Sequence, residues 1–519
     1  MLKSSGAMAA ATLLSRVLGM LREMLYARFM GDSPVAGAFA FAFSIPNLFR
    51  RLLGEGALTA AFVPIFKEKE AKEGEAAMWR VANSVVCGLL VVSALVVAAV
   101  IGGLTLVLAG GLADEGFRLV LWLVRVIFPY MMMACLAAIF MGILNSRGSF
   151  FLPALGAVIL NLVIIPVVIL VAPRWGVQLE EQVFALAYAV LVGGFLQAVY
   201  MLPALRRVGF RFTWISPLGN PVLRQVWERM LPGLLGVAAF QLNVFFTGMI
   251  AGLVDFQINA SYGYAVRLFE LPQGLFGVSL ATFLLPTLSG LAAQGNMAGF
   301  KATLTQGLGY IIFINALMAG LLMMLTEPMI RLLFERGEFT AEATSRAASA
   351  LFWLGLSLVP YSVNAILSRT FFALGDTRTP MRLSAVCLVL NLVLVIALIE
   401  RHRQAGLAMA NCATAFLNML LLLTWLRRRT GPLGLGTVAK LSAQVVAALA
   451  VALAVGHFAH GWWDDHVGHG DVYRRIGEVF VPLGLTGLAY LAAGQVLGMS
   501  VTSELRRLVR FPRSREKLR

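Results

Sequence analysis

Apolar residues run along this chain in blocks of about twenty, the length at which an α-helix crosses a bilayer. Fourteen blocks are predicted, near 4–28, 34–53, 80–109, 117–144, 151–172, 183–205, 224–252, 259–290, 304–333, 343–373, 380–399, 405–426, 437–458 and 476–498. The pattern predicts an all-α, polytopic membrane protein. The first two blocks are the weakest by hydropathy, because charges interrupt them. No small-residue cleavage site follows a short apolar core at the N-terminus, so the first block reads as a retained helix rather than a signal peptide.

The blocks repeat. IPNLFRRLLGEGALTAAFVP (45–64) echoes LPQGLFGVSLATFLLPTLS (271–289), and LNSRGSFFLPAL (144–155) echoes ALGDTRTPMRL (373–383). Pro272 stands 226 positions after Pro46, Pro286 222 after Pro64, and Pro380 227 after Pro153. Matching prolines, glycines and polar residues in order point to duplication of a six-helix unit. An even helix count leaves both copies in the same orientation, about an axis along the membrane normal. The expected organisation is a bundle over 1–222, its repeat over 223–430, an extra helix pair over 431–500 and a basic tail over 501–519. Two such bundles facing a central cavity is an alternating-access architecture. Prolines inside spans fit helices that border a cavity or are buried in protein.

Composition agrees. Of 519 residues, 59% are hydrophobic and 13% charged, against about 45–50% and 25% in soluble domains. The formal charge of +16 would suggest nucleic acid in a soluble protein. Here lysine and arginine concentrate in alternate short loops, such as Lys67–Arg80, Arg206–Arg229 and Arg427–Lys440. By the positive-inside rule both termini are then cytoplasmic, and no nucleic acid partner is implied. The cysteines, Cys87, Cys135, Cys387 and Cys412, are scattered singly in apolar runs with no metal spacing, so they read as packed free thiols.

The informative residues are charges inside apolar blocks: Arg16, Arg22, Arg28, Arg50, Arg51, Arg267, Glu23 and Glu55. Each costs about 2.5–3.5 kcal/mol at mid-bilayer on insertion scales. Arginine's planar fork binds phosphate oxygens bidentately and keeps its proton. Arg16, Arg22 and Arg267 therefore read as cavity arginines for an anionic diphosphate, with Arg28 and Arg51 snorkelling or paired. Glu23, seven residues after Arg16, is the expected partner of Arg16, and Glu270 that of Arg267. HFAHGWWDDHVGHGDVY (457–473) holds four histidines and three aspartates. Zinc chemistry is conceivable there, but the spacing matches no strong motif and the stretch reads as a polar loop. No metal or cofactor is called for. Neither a catalytic serine, cysteine or histidine constellation nor a GxxxxGK[ST] loop is present, so the chain does not read as an enzyme.

SRVLGMLRE (15–23), IPNLFRRLLGEGALTAAFVP and RLFELPQGLFGVSLATFLLPTLS (267–289) resemble the MurJ (MviN) lipid II flippases of the MOP superfamily, which also holds the MATE exporters. The resemblance covers the whole chain. It implies fourteen spans, substrate-binding roles for Arg16, Arg22, Arg50, Glu55 and Arg267, and a lipid-tail groove on the last helix pair. It implies transport of lipid II from the cytoplasmic to the periplasmic leaflet of the bacterial inner membrane, and mobile cavity arginines would let membrane potential drive the cycle. Partners would be lipid II, membrane lipids and candidate cell-wall synthesis proteins, with the chain a monomer. The sequence departs from the family pattern at Gly37 and Val266, where acids are usual. The helix-seven acid through which some members bind sodium is also missing, leaving Asn391 and Thr414 as weak sodium candidates. The competing readings are a flippase for another polyprenyl-diphosphate glycan, a MATE-like exporter, or a non-transporting scaffold. A cation exporter would want cavity carboxylates, where this chain offers arginines.

Overall fold

In a computed structural model, which describes residues 2–54, 57–111 and 114–503, every regular element is helical. By contacts the chain divides into two compact units, Met1–Ala260 with Arg336–Phe339, and Ser261–Glu335 with Thr340–Arg519.

The first unit holds α1 (Leu2–Met30), α2 (Pro34–Phe49), α3 (Ala57–Glu73), α4 (Glu75–Ala109), α5 (Glu115–Ile127), α6 (Tyr130–Ser146), α7 (Phe151–Ala154), α8 (Gly156–Pro166), α9 (Leu179–Val199), α10 (Leu202–Arg207) and α11 (Pro221–Val254). Ser33 starts α2 by accepting from Ala36 N, with Pro34 at the first helical position, where its missing N–H costs nothing. α11 packs on α2, α3 and α4. The contact boundary therefore falls at Ala260, whereas the repeat in the sequence begins near 223. The segment before α11 is pinned to α4: Asn83 Nδ2 donates to Arg211 O, and Asn83 Oδ1 accepts from Thr213 N.

α12 (Phe256–Pro272) starts the passage into the second unit, which holds α13 (Ser279–Ala293), α14 (Met297–Met324), α15 (Thr326–Phe334), α16 (Ala341–Ala373), α17 (Arg378–Thr430), α18 (Leu435–His466) and α19 (Val472–Val496). Its core joins α13, α14, α16 and α17 through Leu288, Phe300, Ile311, Leu367, Phe371 and Leu422. The last pair is attached by Tyr490, whose hydroxyl donates to Phe313 O at 2.9 Å.

All fourteen predicted blocks fall on helical segments, but nine described helices are long and apolar enough to cross a membrane, or ten when α5 and α6, bent by 42°, count as one. Nine or ten is a count by length and composition over the described residues alone, and the remaining blocks fall on helices with features of their own. α1 carries Arg16, Arg22, Glu23 and Arg28. α2 has only 16 residues. The apolar part of α11 is confined to Gln241–Val254. α17 contains two blocks joined at Arg403, which sits at φ 48. A side chain in that left-handed region is unfavourable by about 1–2 kcal/mol. Gln404 helps to hold the bend by donating to Arg346 O at 3.1 Å.

The sequence repeat recurs as backbone detail. A turn of π-helix follows Pro46 at Arg50–Gly54, and another follows Pro272 at Gln273–Val278. The turn after α6 matches that after α16 atom for atom: Ser149 N donates to Leu144 O, and Asp376 N to Phe371 O, both at 2.9 Å. Gly148 at φ 82 and Gly375 at φ 73 hold the left-handed position in each, where a Cβ is disfavoured. At the second turn, partial burial opposes ionisation of Asp376, yet the Thr379 N–H and hydroxyl, with Arg429, hold its carboxyl below the usual range.

Gly37 also has a structural reason. A methyl group there would overlap the carbonyl oxygen of Phe256, so α2 passes directly against the backbone at the start of α12. The acid expected from the family pattern has no room. Gly37→Ala should destabilise the protein by about 1–3 kcal/mol, read as a lower unfolding temperature of purified protein. An unchanged unfolding temperature would mean that this contact does not bear on stability.

Candidate substrate-binding site

Arg22 is one of the charges that the first unit largely encloses, with Glu23 and Asp32. Its side chain is 15% exposed. Nη2 donates to Glu23 Oε1 at 2.7 Å and Nη1 to Asn161 Oδ1 at 3.1 Å. The guanidinium carbon lies 5.6 Å from the ring centroid of Tyr26, within cation–π range. Asn161 Nδ2 reaches back to Ser15 O, so one amide from α8 braces two points of α1. Arg22 Nε is buried with no acceptor among the described residues. Such a donor costs about 1–3 kcal/mol unmet, and it is a position where an anion oxygen would be favourable.

The Glu23 assignment is a correction. Seven residues advance about 10.5 Å along a helix, so Arg16 and Glu23 share a face but lie two turns apart. The carboxylate pairs with its neighbour Arg22 instead. Arg16 itself is exposed on α1, with no acceptor among the described residues. Arg50 lies in the π turn after α2 and donates from Nε to Asn47 Oδ1 at 3.0 Å. Glu55 lies outside the described residues, as do 504–519 of the basic tail. In the second unit Arg267 is 46% exposed and pairs with Glu270 at 3.3 Å, as the spacing predicts.

Asn391 and Thr414 do come together. Asn391 Nδ2 donates to Thr414 Oγ1 and to Asn411 Oδ1, each at 3.3 Å. Asn411 in turn donates to the Tyr262 hydroxyl at 2.8 Å. Thr414 Oγ1 also donates to Ala410 O. Asn391 thus presents nitrogen to a hydroxyl already engaged, while its own Oδ1 is buried with no partner among the described residues.

The second unit also carries an apolar groove of about 780 Å³, lined from α14, α16, α17 and α18 by residues including Gly320, Met323, Leu356, Phe416, Val445 and Leu449. α18 supplies one wall. Small residues of α19 such as Gly487 and Ala492 are not among its lining.

The family model described as lipid II flippase MurJ matches residues 26–475. The chain belongs to the lipid II flippase MurJ family. It is similar to the lipid II flippase MurJ of Burkholderia cenocepacia, at 35% identity over 80% of this chain and 82% of that one. It is 32% identical to a probable lipid II flippase MurJ of Vibrio cholerae over 96% of each. Among solved structures it resembles a lipid II flippase MurJ in an inward closed conformation, with TM-score 0.77, 22% identity, and coverage of 94% and 98%. An inward-facing multidrug resistance MATE family transporter of the MOP superfamily matches with TM-score 0.64 at 17% identity, over 80% and 95%. The last two likenesses concern the fold.

Asn161 is the site residue that the hydropathy reading misses. One amide barely alters the mean of an eighteen-residue window. The signal was nevertheless present twice: a polar side chain in an apolar run marks a site by default, and LNLV occurs at 160–163 and again at 390–393. The two buried asparagines, Asn161 and Asn391, thus stand in the same four-residue motif, 230 positions apart. Asn161→Ala should lower stability by about 1–3 kcal/mol, because Arg22 would lose an acceptor where water is excluded. Thermal unfolding of purified protein measures this, and an unchanged midpoint would show that Asn161 does not solvate Arg22.

Proposed function

We infer that this chain flips lipid II, the undecaprenyl-diphosphate-linked peptidoglycan precursor, from the cytoplasmic to the periplasmic leaflet of the bacterial inner membrane by alternating access. Membership of the family supplies the substrate. The observation that carries the mechanism is Arg22, a permanently charged fork held among apolar helices with one N–H unmet. Arg16, Arg22 and Arg50 in the first unit and Arg267 in the second serve as diphosphate contacts, and Glu55 belongs to the same set. The undecaprenyl tail lies in the groove walled by α18. The protein acts as a monomer with both termini cytoplasmic and transports without a catalytic step.

Charge also supplies the drive. The diphosphate carries about two negative charges outward, each worth about 2.3 kcal/mol per 100 mV with the inside negative. An emptied site whose arginines return inward moves positive charge toward the negative side, which is favourable too. Potential can therefore act on both halves of the cycle without a cation site. Arg22→Ala removes charge-assisted bonds of about 1.5–3 kcal/mol, hence roughly ten- to a hundredfold in transport. Arg22→Lys should be intermediate, since it keeps the charge and loses the fork. The measurement is leaflet accessibility of lipid II in cells depleted of the native protein, with variant levels in the membrane matched. Full transport by the alanine variants of Arg16, Arg22 and Arg267 would refute the diphosphate assignment.

In the same assay, dissipating the potential should stop flipping, whereas replacing sodium at constant potential should not. Arrest by sodium replacement alone would return a coupling role to Asn391 and Thr414. Gly320→Phe, which fills the groove, should slow transport without lowering the amount of protein. Unimpaired transport would place the tail elsewhere.

A further inference from the structure

The histidine-rich stretch is more ordered than a solvated loop needs to be. α18 ends with Val467 N and Gly468 N both donating to Trp463 O. Trp463 Nε1 donates to Arg474 O, and Asp471 Oδ1 starts α19 by accepting from Arg474 N. Arg475 Nε donates to His469 O at 3.1 Å, and its Nη1 to Glu335 O at 2.9 Å. The residues between the two helices are therefore held from both sides and from the end of α15.

Within this frame, one ligand atom from each of Asp464, His469 and Glu478 lies within 4.8 Å of the other two. Glu478 is fully buried. Its Oε1 accepts from Arg331 Nη1 at 2.6 Å, but its Oε2 is buried with no partner among the described residues. Arg331 does not neutralise Glu478 alone, because it also lies 3.7 Å from Glu335 and 3.9 Å from Glu327. A buried carboxylate oxygen without a donor is an acceptor for a proton or a cation. His469 Nδ1 stands 3.3 Å from Asp464 Oδ1. Two ligands at 2.0–2.1 Å from one tetrahedral zinc lie about 3.3 Å apart.

We propose that Asp464, His469 and Glu478 form a binding site for a divalent transition metal, of which zinc is the best fit, and that it ties the adjoining ends of α18 and α19. One imidazole and two carboxylates, with a fourth position open to water, is a donor set that zinc accepts. Calcium would need six to eight oxygens and magnesium a near-ideal octahedron. The exposed Asp464 and His469 give the ion access, and the buried Glu478 gives it charge. The site shares no residue with the arginines assigned to the diphosphate, and the proposal does not depend on what the protein transports.

The test uses full-length protein without a polyhistidine tag, purified in nanodiscs and stripped of metal. Zinc is titrated by calorimetry and bound metal counted after desalting, with unfolding temperature read in parallel. One equivalent should bind, magnesium and calcium should compete poorly, and zinc should raise the unfolding temperature, since a ligand specific to the folded state stabilises it. His469→Gln and Asp464→Asn should each weaken binding at least tenfold and abolish the thermal shift, with unfolding in metal-free buffer unchanged. Glu478→Gln tests the buried ligand, and His466→Gln should leave affinity as it is. Absence of saturable binding overturns the proposal. So does binding indifferent to His469→Gln and Asp464→Asn, or lost in His466→Gln alone, which would assign the ion to other side chains of the stretch.

Discussion

A guanidinium enclosed by apolar helices must find its solvation inside the protein, and the first unit is arranged around that requirement. Arg22 keeps its charge at any relevant pH, so neutralisation is no escape. Glu23, Asn161 and the face of Tyr26 take the place of water. The consequence reaches the helices that carry them. The Asn161 amide fastens α1 to α8 at both Arg22 and Ser15. One orphaned N–H remains, and it defines the only direction in which this set can be improved by adding a ligand: toward more negative oxygen.

The second constraint is that the helices must break where they line polar space. A π turn widens the helix by one residue and often marks a functional position. It occurs after Pro46 and after Pro272, where proline has already removed a backbone donor. In the first unit the π turn carries Arg50. In the second it follows Arg267 by only a few residues. A third π turn, Val167–Val171 after Pro166, carries no arginine, so proline precedes every π turn among the described residues while an arginine stands beside two of them.

Much of this was legible in the sequence because the governing signals are periodic or repeated. Block length marked the helices, and the offset of Pro46, Pro64 and Pro153 from their counterparts anticipated the recurring π turns and the Gly148 and Gly375 turns. What escaped was set by three dimensions. The Glu23 partner was misread because angular position was weighed without axial rise. Asn161 was diluted by its apolar neighbours. The apolar groove drew its walls from α14, α16, α17 and α18, a combination of helices that no single stretch of sequence displays. By length and composition alone, the blocks marked by charge, brevity or the Arg403 bend stand apart from the nine long apolar helices among the described residues.

The two repeats use the same asparagine for different ends, and the difference bears on mechanism. Asn161 faces an arginine and acts as an acceptor for its charge. Asn391, in the other LNLV motif, faces Thr414 and Asn411 in a neutral set that Tyr262 extends. A duplicated framework therefore carries a fixed positive charge in one copy and hydrogen-bonding polarity in the other. Fixed charge couples to the membrane potential through its magnitude alone, whereas a neutral polar set contributes no comparable electrical work and acts through geometry. If motion of the first unit carries Arg22 across part of the field, the voltage acts on the group proposed to hold the diphosphate. Under that proposal binding and drive reside on one side chain, and a fixed charge does the electrical work that a coupling ion would otherwise do.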